Sequence, residues 1–238
     1  MKIHRFIDNF DLSKDELEIN GQIAHQIINV LKLKIGEKIE LSDGKHISVI
    51  AHICKIDKKN VSVKIEKILE KNNKKQNNKK VNLFCCILKK ENFELIVQKS
   101  TECGVSSIIP IISDHTVKTG INIERLKKIA KEASEQSGRV DIPEINEIVY
   151  FNESLKLIKE NNLNILFDSS GELFLKEHTP DSSNNSEINI WIGPEGGWSN
   201  KEIEKAKELN FKIMSLGPLT LRGETAAIVA TYLIKNLE

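Results

Sequence analysis

A chain of 238 residues with 39% hydrophobic and 29% charged side chains can bury its own core, as one large domain or two modest ones, and a formal net charge of +1 says little by itself about partners. No apolar run approaches the roughly 18 residues that span a membrane. The start Met1-Lys-Ile-His-Arg-Phe-Ile-Asp8 has no apolar leader core, so a cytoplasmic protein is expected. Cys54, Cys85, Cys86 and Cys103 form no C-x-x-C pair, which favours small core hydrophobes over metal or redox ligands.

Residues 1 to about 70 read as a small, mainly β module. Ala24 to Lys32 carries the apolar stripe of one helix. Glu37–Leu41 and His46–Lys55 read as strands joined at Asp43-Gly44, a strong hairpin signal. A second turn at Asp57-Lys-Lys-Asn60 leads into Val61–Ile68, which alternates at period two. Lys71 to Lys80 then holds no apolar residue and cannot offset its own ordering, so it is expected to be a linker or exposed loop between domains. Its lysines also admit a nucleic-acid reading beside that of a solvated spacer.

From Val81 onward strands and helices alternate. Strands are expected at Val81–Leu88, Ser107–Ile112, Asn164–Asp168, Ile188–Ile192 and Lys212–Leu216. Helices are expected at Phe93–Cys103, Ile123–Ser137, Asn152–Glu160, Asn200–Leu209 and Glu224–Leu237, with Gly104 and Gly138 ending the first two. Asp181–Glu187 reads as a polar loop. The alternation implies an α/β domain with a mostly parallel sheet covered on both faces. The last helix is apolar nearly all round, which suits burial in its own domain and against a second copy.

Several familiar sites do not occur. There is no G-x-x-x-x-G-K-[ST], no G-x-G-x-x-G after the first strand, no G-x-S-x-G and no H-E-x-x-H, so a P-loop, standard dinucleotide, serine-hydrolase or zinc-protease site is not expected, and no metal is. Instead, two apolar strands end in loops rich in glycine and proline, and each loop opens a helix. The first is Asn189-Ile-Trp-Ile-Gly-Pro-Glu-Gly-Gly-Trp198; the second is Leu216-Gly-Pro-Leu-Thr-Leu-Arg-Gly-Glu-Thr-Ala-Ala227. The carboxyl ends of strands are where open α/β sheets place ligands. Gly193, Gly196, Gly197 and Gly217 let backbone approach such a ligand closely. Arg222, Glu224 and Thr225 are hydrogen-bonding groups among residues otherwise suited to packing.

These two motifs resemble the bacterial 16S ribosomal RNA uracil-N3 methyltransferase family of the SPOUT class, and the likeness extends over nearly the whole chain. Ile96-Val-Gln-Lys-Ser-Thr-Glu-Cys-Gly-Val105 resembles a helix motif of that family, with Cys103 where leucine is usual. Glu132-Ala-Ser-Glu-Gln-Ser-Gly-Arg139 followed by Ile142-Pro143 resembles another. Arg5 and His25 stand at motif positions of the family's PUA-like RNA-binding barrel. Three departures touch basic positions: Asn92 and His115 stand where a basic residue and an arginine are usual, and Lys32 stands where arginine is common.

The resemblance implies a PUA-like β-barrel over 1–70, a basic polar linker over 71–80 and a SPOUT methyltransferase domain with a deep trefoil knot over 81–238. It implies S-adenosylmethionine as cofactor, a homodimer, and 16S ribosomal RNA or the small ribosomal subunit as partner. The cofactor would be read by backbone of Gly193, Pro194, Glu195, Gly196 and Gly197, and of Leu216, Gly217, Leu219 and Leu221. Phe167 and Ile192, with Leu216 and Leu221, would form an apolar wall, and Ala226 would lie beside it. Thr225 either caps the last helix or touches the cofactor. Arg222 is the expected stabiliser of negative charge on the uracil. Glu224 is a base, an orienter, or a carboxylate favoured at a helix N-terminus. RNA contacts are expected from Arg5, His25, Lys89, Lys99, Gln136 and Arg139. A relative acting on transfer RNA, or a non-catalytic RNA-binding assembly protein, is the alternative.

Overall fold

The structure, a computed structural model, describes residues 3–45, 47–69, 79–89, 92–178 and 187–236. It divides into two units, Met1–Lys75 with Ser134–Ile142, and Gln76–Ala133 with Pro143–Glu238. The expected linker over 71–80, apart from Lys79 and Lys80, and the expected loop over 181–187, apart from Glu187, lie outside the described residues.

In the first unit, β1 (His4–Ile7), β2 (Glu16–Ile19), α1 (Gly21–His25), β3 (Lys38–Ser42), β4 (Ser48–Ile56) and β5 (Val61–Leu69) follow in order. The sheet order is β1-β3-β4-β5-β2; β1 runs parallel to β3 and the other pairs are antiparallel. The Asp43 carboxylate makes the expected hairpin turn by accepting the N–H groups of Lys45 at 2.8 Å and Ile47 at 3.0 Å. Alternation then buries Val49, Ala51, Ile53, Val61 and Val63 against Phe6, Ile23, Ile27, Ile39 and Leu41.

Three expectations for this unit need correction. The helix starts at Gly21, and its second half, Gln26–Val30, widens into a π-helical turn before the chain reverses at Lys32 with φ 53°. The strands β1 and β2 were not expected, because HRFI and ELEI are too short and too charged to show a period. Cys54 is exposed rather than buried. The β4–β5 register jumps between Ile53 and Lys55, so Cys54 is the extra residue of a bulge and faces outward.

The segment Ser134–Ile142 is bonded into this unit. The Glu135 carboxylate accepts the Ile7 N–H at 2.9 Å, Ser42 Oγ donates to the Val140 carbonyl at 2.7 Å, and the Ile142 N–H donates to the Gly44 carbonyl at 3.3 Å. The motif running from Glu132 to Arg139 therefore ends among the β1 and β3 residues.

The second unit comprises β6 (Val81–Cys86), α2 (Asn92–Glu102), β7 (Ser107–Ile112), most of α3 (Ile123–Ser137), β8 (Glu144–Ile145), β9 (Val149–Tyr150), α4 (Phe151–Ser154), β10 (Leu163–Leu173), β11 (Ile188–Ile192), α5 (Asn200–Glu208), β12 (Lys212–Ser215) and α6 (Gly223–Asn236). Its sheet runs β12-β10-β11-β6-β7-β8, with β9 also on β7, and every pairing is parallel. Phe84, Ile109, Leu166 and Trp191 point to one face, where Phe151 of α4, Ala206 of α5 and Phe211 cover them. Phe84 and Trp191, opposite each other across β6 and β11, stack at 4.1 Å. Leu83, Ile165, Ile190 and Ile192 point the other way by the strand period. There α6, whose Ala227, Ala230 and Ile234 are buried, packs on β6, β11 and α2.

Two features fix the register of this parallel sheet. At its amino-terminal edge Ser107 Oγ donates to Asn82 Oδ1 (2.7 Å), Asn82 Nδ2 to Asn189 Oδ1 (2.9 Å), and Asn189 Nδ2 to Asn164 Oδ1 (2.8 Å). These four residues are direct register partners, so a one-residue slip of any strand breaks the chain of bonds. At the other end β10 runs past its expected end at Asp168 and slips register beside β12 between Phe167 and Glu172. A Cβ on Gly171 would lie 2.6 Å from the Met214 nitrogen, so the two backbones touch where only glycine fits.

The helix expected over 152–160 is shorter. It stops at Ser154, makes one 3-10 turn through Leu157, and turns extended at Ile158, which packs against the aromatic core.

Candidate active site

In an all-parallel sheet every strand delivers its carboxyl end to the same edge, and here β6, β7, β10, β11 and β12 do so. Phe167 is the register partner of both Ile192 and Met214, and Ile192 is that of Cys85. These buried residues form an apolar row below the edge. The loops after β11 and β12 rise on either side of β10, two strand spacings or roughly 10 Å apart.

The first loop is held at several points. Trp198 Nε1 donates to the Phe167 carbonyl at 3.1 Å, and the Gly197 N–H donates to the Pro194 carbonyl at 2.9 Å. A Cβ on Gly193 would sit 3.1 Å from Trp198 Nε1, so a side chain there would crowd the indole. Glu195 is exposed, yet its carboxylate accepts the Lys89 N–H at 2.9 Å and ties the loop to the end of β6. His115, in the loop after β7, places Nδ1 at 3.2 Å from the Gly196 carbonyl and 3.1 Å from that of Gly197.

The second loop, Leu216 to Arg222, is irregular. Pro218, Leu219 and Thr220 are exposed, Leu219 to 78%, while Leu216 and Leu221 are half-buried. Gly197 (φ +71°) and Gly217 (φ +141°) hold backbone conformations that other residues rarely adopt, and a Cβ on either would meet nothing within 4 Å. Open space thus faces backbone in both loops, with an apolar row beneath. A flat heterocycle read by backbone N–H and C=O groups fits such a cradle.

The second loop runs into the first turn of α6. Arg222 and Thr225 are exposed, and Ala226 is half-buried with its N–H on the Arg222 carbonyl at 2.8 Å. Glu224 is half-buried, with Oε2 at 3.5 Å from the Asn92 amide of α2. Burial pushes the Cys85 thiol well up and that of Cys86 to about 12, so neither offers a thiolate near neutral pH. Among the described residues no group of three His, Cys, Asp or Glu side chains is placed to hold a metal, and no helix is long and apolar enough to cross a membrane.

The expected RNA contacts fall in both units. In the first, the Arg5 guanidinium pairs with Glu40 at 2.6 Å and lies 2.9 Å from where a Gly138 Cβ would be. Arg139 is buried and pairs with Asp141 at 3.0 Å, while Gln136 and His25 are exposed. In the second, Lys89 is exposed and Lys99 pairs with Glu102 on its own helix at 2.9 Å. An RNA phosphate reaching Arg5 or Arg139 must compete with a carboxylate already in place.

Sequence reasoning missed the groups that hold the first loop. In the sequence Trp198 is only the last residue of the first motif, and His115 stands out only as a departure from arginine. Their partners stand 31 and 81–82 residues away, so no local pattern could have paired them.

Comparison with known proteins gives this arrangement its class. A family model described as an RNA methyltransferase domain matches residues 75–235, and one described as an RNA methyltransferase PUA domain matches residues 19–66. The chain is an RNA methyltransferase of two parts. It belongs to the ribosomal RNA small subunit methyltransferase E family. It is 35% identical to the family member of Rickettsia conorii, over 100% of this chain and 97% of that one, and 29% identical to that of Bacillus subtilis, over 92% of each. Among solved structures it is similar to the Neisseria gonorrhoeae ribosomal RNA small subunit methyltransferase E bound to S-adenosyl methionine. The TM-score is 0.89 with 26% identity, covering 99% of this chain and 98% of that chain. It is also similar to a Legionella pneumophila methyltransferase in complex with the same cofactor, with a TM-score of 0.84 and 30% identity, covering 98% and 97%.

Proposed function

We propose that this protein transfers a methyl group from S-adenosylmethionine to N3 of a uridine in 16S ribosomal RNA, working as a cytoplasmic homodimer on that RNA or on the small subunit. The observation that carries the reading is the pair of glycine-lined loops flanking β10, with nothing within 4 Å of a Cβ built on Gly197 or Gly217, and with Arg222 and Glu224 where the second loop runs into α6. The relatives' names and the cofactor-bound neighbours support the substrate and the donor.

The cofactor supplies an electrophilic methyl group on a sulfonium. The protein must present a uracil whose N3 has lost its proton. Arg222, exposed at the start of α6, is the fixed donor that stabilises negative charge spreading onto the uracil carbonyls. Glu224, beside the Asn92 amide, takes the N3 proton or orients Arg222. Positioning N3 in line with the transferring carbon can supply roughly 7–11 kcal/mol of barrier reduction in well-oriented cases.

Backbone of Gly193–Gly197 and Leu216–Leu221 would hold the adenine and ribose above the Phe167–Ile192 row. A SPOUT-type trefoil knot accords with the strand order, in which β11 inserts between β6 and β10 although it follows both in the chain. A second copy of the chain accords with the exposed Tyr232 on α6 (57%) and Leu219 (78%). The first unit, with Arg5, His25, Gln136 and Arg139, and Lys89 and Lys99 of the second are proposed to meet RNA. Mass spectrometry of nucleosides from the small-subunit RNA of a strain lacking the gene tests the reading. Loss of N3-methyluridine, restored by the wild-type gene, is expected; undiminished N3-methyluridine overturns it.

A further inference from the structure

We infer that His115 is a positioning residue for the cofactor: its ring holds the Gly196–Gly197 peptide in the conformation that binds S-adenosylmethionine. The inference rests on the reading of the first loop as part of the cofactor site. Nδ1 faces two carbonyl oxygens, at 3.2 and 3.1 Å, and carbonyls only accept. The proton must therefore reside on Nδ1, as a three-centre bond to Gly196 and Gly197. A Cβ on Gly196 would stand 3.0 Å from the His115 Cβ, so the histidine stem lies flush against the loop.

His115 is itself held firmly. The turn bearing it is closed by the Thr116 N–H on the Ser113 carbonyl at 3.1 Å and the Ser113 N–H on Thr116 Oγ1 at 2.9 Å. The neighbouring Asp114 N–H donates to the Glu202 carboxylate at 3.1 Å, and Ser199 Oγ donates to Asp114 Oδ2. Glu202 is buried, and its other oxygen accepts the Ser199 N–H at 2.8 Å. Ser199 lies two residues past Gly197, so one network fixes the chain leaving that loop and the base of the imidazole. A donor anchored this way sets a peptide's orientation rather than following it. With Glu195 on Lys89 and Trp198 on Phe167, the loop is tied to β10 and to the segments that follow β6 and β7, and His115 alone grips its glycine carbonyls among the contacts described above.

The test compares His115→Ala and His115→Asn with wild type. Asparagine offers an N–H at the position of Nδ1 and alanine offers none. Calorimetric titration with S-adenosylmethionine should show binding weakened about three- to tenfold in the alanine variant and restored to within about threefold of wild type in the asparagine variant. The cofactor KM should rise in parallel, with kcat and the RNA KM within about twofold of wild type, and a melting scan checks folding. Wild-type affinity in His115→Ala, no rescue by asparagine, or a rise confined to the RNA KM overturns the inference. Failure of the wild-type protein to bind the cofactor instead overturns the reading of the site itself.

Discussion

Trp198 Nε1 donates to the carbonyl of Phe167 at 3.1 Å, so the indole that packs under the first glycine loop also locks that loop to the middle of the neighbouring strand β10. The bond is buried, and Trp198 lies in the same aromatic cluster as Phe151 and Trp191. Trp198→Phe keeps most of the packing but leaves the Phe167 carbonyl without its donor. A loss of about 1–2 kcal/mol in unfolding free energy is expected, as for a buried acceptor deprived of its partner. Chemical denaturation reads the loss, and S-adenosylmethionine affinity should fall alongside it.

Arg222 is exposed immediately before α6 and is assigned to the uracil rather than to the cofactor. In Arg222→Ala, turnover should fall about 10²- to 10³-fold, the usual effect of removing one donor to a developing anion. S-adenosylmethionine affinity should stay within about threefold of wild type. Single-turnover kinetics with a calorimetric control separates the two quantities. Methylation at the normal rate would remove Arg222 from the chemistry.

The approach of Gly171 to β12 leaves no room for a side chain, and the atoms it would meet are backbone atoms of Ile213 and Met214. Neither strand can move aside by rotating a side chain. Gly171→Ala should therefore cost about 2–3 kcal/mol of stability, in the range of overpacked core substitutions. Alanine at Gly120, where a Cβ would meet nothing within 4 Å, is the matched control. Thermal melts of the two variants should differ clearly.

Glu187 anchors the edge of the asparagine ladder, with its carboxylate 3.2 Å from Asn82 Nδ2 and 3.6 Å from both Lys80 and Lys159. Burial raises its carboxyl, but the Asn82 hydrogen bond and the two lysine charges outweigh that, and the result lies below the ordinary 4.5. A carboxyl lowered on folding stabilises the native state above its unfolded value and loses that contribution as pH falls through the folded one. Glu187→Gln should thus be less stable than wild type at neutral pH. The difference should shrink below pH 4.5 and vanish once wild-type Glu187 is protonated. Denaturation midpoints measured across that range check the sign.

Much of the second unit was legible in the sequence. Ser107–Ile112, Ile123–Ser137 and Ile188–Ile192 lie where the apolar runs and the helical period placed them, because strands buried on both faces read as continuous hydrophobic stretches. The two glycine loops were legible for a different reason: backbone that must leave room for a ligand needs residues without side chains. What could not be read is what the topology decides. Asn82, Asn164 and Asn189 look like scattered polar residues until strand order sets them side by side. Cys54 looks like core until a bulge turns it outward. The Glu132–Arg139 motif sits on a helix of the methyltransferase domain by sequence, yet its Glu135 bonds to β1 and Val140, just after it, bonds to β3.

The most direct test is a crystal structure of the purified protein grown with S-adenosylmethionine. Density for the adenine between Gly193–Gly197 and Leu216–Leu221, above Phe167 and Ile192, is the expected result. A cofactor lodged elsewhere on the chain, or none at saturating concentration, would contradict the account.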